Sequence, residues 1–373
     1  MNRLPVAAPS QSTDSYDVLV DPGLLSSLKQ RVDAVLPRAG RVLLAVDERI
    51  AEDHGHVVRE QIVSTGRTCI EARLDASESS KTLQTVHTLY HAMLAGGLDR
   101  SDAVVAFGGG IVGDTAGFAA ATYLRGVDLV QIPTTLLAMV DASIGGKTGV
   151  NLPLPAGGLG KNLAGAFWSP RAVLIDPRVL ATLDDRNFRC GLAECVKHGM
   201  IASGPLLEEI EAFVGDSTRR DDESALTTLI TRSAQVKIDV VVTDIRERGQ
   251  RALLNLGHTF AHGFESIAEL NLQHGEAVSI GLCCACDVAV NTGRMSGGQR
   301  DRVQTLLGQI GLPTRLPRSV SSEVIQSAMA FDKKNTGGRR RLIVPVGLGA
   351  AEIVEDLPET AVDDALRAVG AED

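Results

Sequence analysis

The chain carries no surplus of positive charge: 37 Lys and Arg stand against 46 Asp and Glu, a formal net charge of −9. Broad nucleic-acid binding, which rests on neutralising phosphates with excess Lys and Arg, is therefore not expected. A small anionic ligand is compatible with this balance, because a local basic pocket can sit inside an acidic protein. Cysteine is sparse, six in 373 residues, too few for a disulfide framework in a chain of this length. Three of the six, Cys283, Cys284 and Cys286, fall within one apolar segment, the setting of small buried hydrophobes. No second CxxC-type partner completes a thiolate zinc site. The longest apolar stretch, Ala277 to Val290, is too short to span a membrane and is interrupted by Asp287. Met1 to Asp17 lacks the charged-then-apolar order of a signal peptide, so a cytoplasmic protein without a membrane partner is expected. Aromatics are scarce at 3%, and neither an internal repeat nor a low-complexity tract is visible.

What is present reads as two domains of ordinary size, each able to bury its own core. Arg41–Val46, Ala103–Phe107 and Asp128–Ile132 are short, apolar and β-branched, the pattern of buried strands. Leu83–Leu94 between the first two repeats its apolar residues at helical spacing. Strands alternating with helices predict a parallel sheet with helices on its faces. After about Pro177 the pattern turns helical, over Cys190–Ile201, Leu206–Val214, Ala225–Val242, Glu276–Asn291 and Gln299–Ile310, with one late strand at Arg341–Val346. The expectation is an α/β domain over residues 1–178 and an all-α domain over 179–373.

Gly108-Gly109-Gly110-Ile111-Val112-Gly113-Asp114 follows the strand at 103–107 and opens a small-residue helix over Thr115–Leu124. Glycine lets backbone approach a pyrophosphate, and a helix N-terminus offers N–H groups and a positive dipole end. The acidic residue usual about 20 positions later should close a strand, whereas Asp128 opens one; Asp47, ending the strand at 41–46, is the better ribose or adenine partner. The segment Asp141 to Thr148 resembles a P-loop only at its Gly-Gly-Lys-Thr end, since Asp141 stands where that loop needs glycine. Nucleotide hydrolysis is therefore disfavoured, although Lys147 can still contact an anion.

Three histidines lie within 17 residues. His258 and His262, at i and i+4, share one helix face, and His274 begins the next helix. Upstream, Glu194 and Lys197 stand one turn apart in an apolar helix. Imidazole with carboxylate suits zinc or a similar divalent ion. Spacing alone nominates His258 and His262 as the metal pair.

The stretches GGGIVGDTAGFAAATYLRG, QIPTTLLAMVDASIGGKTGVN, GKNLAGAF, GLAECVKHG, RALLNLGHTFAHGFE, HGEAV and FDKKNTGGRRRLIVP, in this order, resemble the 3-dehydroquinate synthase family from about Asp47 to Val346. The resemblance implies an NAD-binding α/β domain followed by a helical metal- and substrate-binding domain, in a homodimer. It implies metal ligands Glu194, His258 and His274, for zinc or cobalt, which moves His262 to the substrate. NAD contacts are implied at Asp47, Glu78 and Lys81, at Gly109, Gly110 and Asp114, and at Thr134, Thr135, Asp141 and Thr182. Lys147 and Lys161 are shared between cofactor and substrate. Lys197, Lys237, Arg251, Asn255 and His262 are implied in catalysis. Arg125, Asn162 and one or both of Lys333 and Lys334 are implied in substrate binding. So many cations suit a ligand bearing both phosphate and carboxylate; Arg339–Arg341 reads instead as a solvated charge run.

The implied reaction converts 3-deoxy-D-arabino-heptulosonate 7-phosphate to 3-dehydroquinate and phosphate in the shikimate pathway. The C5 hydroxyl is transiently oxidised by NAD, phosphate is eliminated, hydride returns, and an aldol step closes the ring. Valiolone-type relatives tend to lose the second histidine of GHTFxH and the preceding Arg and Asn, whereas Arg251, Asn255 and His262 are all here. The chain departs from the family pattern at 151–160, which is several residues longer, at Ser77 for a common Gly, at Arg49 for a frequent Asn, and at Asp184-Asp185-Arg186-Asn187 for a Pro-containing turn.

Overall fold

The protein, a computed structural model, is described over residues 1–6, 15–155, 159–202, 204–247, 249–330, 341–355 and 357–372. Its strands are β1 (Asn2–Val6), β2 (Tyr16–Val20), β3 (Arg41–Asp47), β4 (Thr68–Leu74), β5 (Ala103–Gly108), β6 (Asp128–Pro133), β7 (Lys147–Pro153), β8 (Leu159–Phe167), β9 (Ala172–Ile175), β10 (Arg341–Pro345) and β11 (Ala351–Glu355). The helices are α1 (Leu28–Val35), α2 (His56–Ser64), α3 (Leu83–Ala95), α4 (Gly110–Thr122), α5 (Asp185–Ala202), α6 (Gly204–Val214), α7 (Glu223–Thr243), α8 (His258–Glu265), α9 (His274–Asn291), α10 (Gly297–Ile310), α11 (Ser322–Ala330) and α12 (Glu359–Ala368). One compact unit is Met1–Leu183 with Leu226–Ile238 of α7; the other is Asp184–Ala225 with Asp239–Asp373.

The first unit is built on a seven-stranded sheet of order β1-β2-β9-β6-β5-β3-β4. Only β1 and β2 pair antiparallel; the remaining neighbours are parallel. Every residue of β5, and Val42 to Asp47 of β3, is buried, as continuous apolar strands covered on both faces should be. Leu43, Val104 and Leu129 of the sheet pack with Val86, Leu89 and Met93 of α3 and with Val112, Ala116 and Ala119 of α4. The small residues of α4 let it lie close. A Cβ on Gly117 would sit 2.5 Å from Cγ2 of Thr148, and one on Gly113 2.8 Å from Oε1 of Gln131. β4 and β5 flank β3 on opposite sides, so the chain reverses direction across the sheet between β3 and β5. Ligands of open parallel sheets bind outside the carboxyl ends of the strands at such a switch point.

The second unit is mostly helical, which corrects the all-α expectation in one respect. β10 pairs antiparallel with β11, a strand whose charged, half-exposed residues carry no apolar run to reveal it. α9 is buried from Ala277 to Ala289, and all six cysteines of the chain are free, Cys283, Cys284 and Cys286 lying in this helix. No helix among the described residues is long and apolar enough to cross a membrane.

Candidate active site

Three helices of the second unit converge on one carboxylate. Glu194, midway along α5, is fully buried. Its Oε1 lies 3.6 Å from Nε2 of His258 and 3.3 Å from Nε2 of His274, and the ligand atoms of all three residues lie within 4.8 Å of one another. The opposite ring nitrogens are engaged. Nδ1 of His258 donates to the Leu256 carbonyl at 3.1 Å, and Nδ1 of His274 lies 3.3 Å from Oε1 of Glu265. Such outer partners fix the tautomer and turn Nε2 inward, the arrangement of metal-ligating histidines. A carboxylate and two imidazoles form a donor set suited to zinc or a similar divalent ion. Burial, helped by the charge of Lys197, holds the His258 imidazole well below its ordinary pKa. Burial pulls His274 the same way, but Glu265 and Glu194 override it and raise His274 to about 10. The carboxylates thus favour a cation here, and a bound metal would take the place of that proton.

The ligand atoms that cluster are those of Glu194, His258 and His274, not those of the i,i+4 pair His258 and His262. Their ring centroids are 5.7 Å apart, yet the group that surrounds Glu194 takes its second imidazole from α9. The start of α9 is held in place by a capping box of Gln273 and Glu276. Glu276 is gripped in turn by Arg186, with Nε and Nη2 each at 2.7 Å. Arg186 belongs to the Asp184–Asn187 departure from the family pattern, so that departure supplies a tie beside His274. Asp184 also accepts from the backbone N–H of Asn187 at 2.9 Å, closing the turn that opens α5.

Lys197, one turn after Glu194, is 1% exposed and ion-paired to Oε2 of Glu194. Arg251 is likewise 1% exposed, with Nη1 donating to the Ile245 carbonyl and its backbone N–H to Asp244 at 3.1 Å. Asn255 donates to Glu247 at 2.9 Å. Glu247 and Glu265 are isolated acidic residues, and no spacing signal in the sequence marks them. Lys333 and Lys334 lie outside the described residues.

In the first unit, most of the residues implied for NAD gather beyond the carboxyl ends of the parallel strands. Asp47 ends β3, Gly109 and Gly110 follow β5, Thr134 and Thr135 follow β6, and Glu78 and Lys81 follow β4. Gly109 stands at the start of α4 without a side-chain cap, leaving the helix N–H groups to other acceptors. None of Gly108, Gly109 and Gly110 has a left-handed φ; space is what favours glycine, since a Cβ on Gly108 would lie 2.7 Å from Cβ of Val112 and one on Gly109 3.0 Å from Cγ2 of Thr135. Thr182 pairs with His54 at 3.1 Å. Lys147 opens a strand instead of a helix, which removes the P-loop reading. Lys237 donates to the carboxylate and carbonyl of Asp141 at 2.8 and 2.6 Å.

A polar chain joins several of these residues. Lys81 donates to Asp114 and to Asn162, each at 2.6 Å. Burial raises the Asp114 carboxyl, with Lys81 opposing. Asn151 accepts from the Asn162 N–H at 2.8 Å and donates to Oε1 of Glu78 at 2.6 Å. The longer 151–160 segment therefore still delivers Asn162 to Lys81, while Lys161 is exposed. Asn151, 1% exposed, is the hub that sequence reading passed over. Asn151→Ala is expected to strand the Asn162 N–H and the Glu78 carboxylate and to destabilise the protein by about 1–3 kcal/mol. An unchanged denaturant midpoint would count against that role.

Arg125, implied in substrate binding, stands apart from the glycine loop. It follows the C-terminal end of α4, whose 13 residues put it roughly 20 Å from the glycine loop at 1.5 Å per residue. It is exposed, with φ of 68°, directly after Leu124 at 51°, two consecutive side-chain-bearing residues in the left-handed region.

Solved structures define the class. The 2-epi-5-epi-valiolone synthase of Streptomyces hygroscopicus subsp. jinggangensis, with NAD+ and Zn2+ bound, matches with a TM-score of 0.86 and 31% identity, covering 98% of each chain. A 2-deoxy-scyllo-inosose synthase shares the fold at a TM-score of 0.87 and 24% identity, covering 99% of this chain and 100% of the other. An α/β unit joined in one chain to a mostly helical unit is the fold shared with these sugar phosphate cyclases. Within that class, the family signature "3-dehydroquinate synthase N-terminal" matches residues 71–190 and "3-dehydroquinate synthase C-terminal" residues 191–335. The 3-dehydroquinate synthase of Microcystis aeruginosa is 42% identical over 365 residues, 97% of each chain. That of Nostoc punctiforme is 41% identical over 355 residues, 95% of this chain and 96% of the other. The chain belongs to the 3-dehydroquinate synthase family.

Proposed function

We propose that the protein converts 3-deoxy-D-arabino-heptulosonate 7-phosphate to 3-dehydroquinate and phosphate, with NAD and a divalent metal, zinc or cobalt. The observation that carries this is the Glu194–His258–His274 cluster, buried and with its outer nitrogens engaged, in a chain of this family. Bound NAD would supply a reversible hydride acceptor, and the metal would supply Lewis acidity toward a substrate oxygen. In this reading residues 1–178 serve NAD and residues 179–373 serve metal and substrate.

The chain's own groups bind and orient. Glu194, His258 and His274 hold the metal. Lys197 is ion-paired with Glu194, and Lys237 with Asp141. Arg251, buried, with its backbone held by Asp244 and Nη1 by the Ile245 carbonyl, offers a fork for carboxylate or phosphate. Asn255, His262 and Asn162 add hydrogen bonds, and Lys147 and Lys161 add exposed charge. Such preorganised cations act on charge as it develops and spare reorganisation. A cytoplasmic homodimer acting on a small anionic sugar phosphate, without nucleic acid, belongs to the same reading.

The alternative is another sugar phosphate cyclase, a valiolone-type enzyme above all, favoured by the 31% identical structure. The presence of Arg251, Asn255 and His262, and the 42% identity to a dehydroquinate synthase, weigh the other way. Purified enzyme should release phosphate from the seven-carbon acid phosphate without accumulating NADH, and should prefer it to sedoheptulose 7-phosphate, which lacks the carboxylate. Preference for the carboxylate-free sugar would move the protein to the valiolone branch, and stoichiometric NADH would make it a dehydrogenase.

A further inference from the structure

Asp47 closes β3 beside the switch point, its side chain 4% exposed. Its carboxylate is held by a residue two positions on. Oδ1 accepts from the Arg49 backbone N–H and from Nε, both at 3.0 Å, and Oδ2 accepts from Nη2 at 2.7 Å. This is a two-bond fork, and the Arg49 side chain remains 59% exposed. The same guanidinium acts on Asp75, just past β4. Hydroxyl hydrogen bonds from Ser80 and Ser77 chiefly hold the Asp75 carboxyl below its ordinary range, with a smaller part from Arg49. Arg49 is thus a cation beside the carboxylates of Asp47 and Asp75.

In dinucleotide-binding sheets an acidic residue at this place takes the ribose 2′-hydroxyl, and an arginine nearby accommodates a 2′-phosphate. A lone carboxylate at the strand end repels that phosphate. Here both residue types occupy one turn and neutralise each other. We propose that Arg49 sets the dinucleotide selectivity of the adenosine end, so that the site accepts the 2′-phosphorylated dinucleotide as well as NAD. With NAD, the ribose hydroxyl shares Asp47 with Arg49. With the phosphorylated form, the exposed guanidinium exchanges a carboxylate partner for a phosphate, one anion for another.

The inference rests on the reading of this unit as an NAD site, and the test separates the two. The full-length protein is titrated with NADH and with NADPH by nicotinamide fluorescence, alongside Arg49→Asn and Arg49→Lys. The two dissociation constants of the unaltered protein should agree within about tenfold. Arg49→Asn should raise the NADPH-to-NADH ratio by about 10- to 100-fold, as loss of a charge-assisted hydrogen bond does. Arg49→Lys, which keeps charge without the fork, should fall between. Binding of NADH with NADPH more than about a hundredfold weaker, or an unaltered ratio in both variants, overturns the proposal and leaves the NAD reading standing. If the unaltered protein binds neither dinucleotide, both fall.

Discussion

Glu194→Gln is expected to leave the protein unable to retain a divalent metal through dialysis, and measurably less stable. The substitution keeps volume and removes one charge. It takes away the carboxylate toward which both Nε2 atoms turn, and it removes the charge to which Lys197, 1% exposed, is ion-paired. Breaking a buried ion pair from one side costs about 3–5 kcal/mol. The glutamine carbonyl still accepts from Lys197, so the lower end of that range is expected. Metal analysis of the dialysed protein and denaturant unfolding read the two effects separately. Stoichiometric metal in the variant would sink the ligand assignment, and an unshifted midpoint would sink the energetic account of Lys197.

Gly275→Ala is expected to weaken both the fold and the metal site, although it adds one methyl group and removes no ligand. Gly275 follows His274 at the start of α9, where that helix presses on α5. An added Cβ would lie 2.3 Å from Cα and 2.4 Å from the carbonyl oxygen of Cys190. Those are backbone atoms and cannot rotate aside. Replacing helical Gly by Ala gains about 1 kcal/mol from propensity, against about 1–3 kcal/mol or more for overpacking. The clash outweighs the gain, and it acts on the spacing between His274 and Glu194. Gly281 has the matching role toward α8, since its Cβ would stand 2.2 Å from the Gly257 carbonyl oxygen, immediately before His258. Metal titration and thermal unfolding of Gly275→Ala should show both losses; wild-type metal affinity would refute the link between close helix approach and the cluster.

These contacts explain what could be read from residues alone. Arg41–Val46, Ala103–Phe107 and Asp128–Ile132 announce themselves because strands covered on both faces must be apolar throughout. β4, with alternating exposure and charges at Glu71 and Arg73, does not, and β9 is four residues long. The helices of the second unit are legible from their 3.6-residue period, but periodicity says nothing about which of them meet. For the same reason Asn151, Glu247 and Glu265 escape notice: a single polar residue acquires a role only from its neighbours in space.

Ordered motifs and hydrophobic periodicity were enough to show the family, the α/β and helical halves, and the residues rich enough in chemistry to form a site. Spacing along the chain did not show which imidazole lies beside His258 at Glu194; the resemblance pointed to His274, and the packed helices place it there. His262 lies nearer in sequence, on the same helix as His258, while His274 comes from another helix. The choice depends on how closely α5, α8 and α9 approach, and that distance is set by absent side chains at Gly275, Gly257 and Gly281. Local spacing fixes which groups share a helix face; close packing between helices fixes which faces touch.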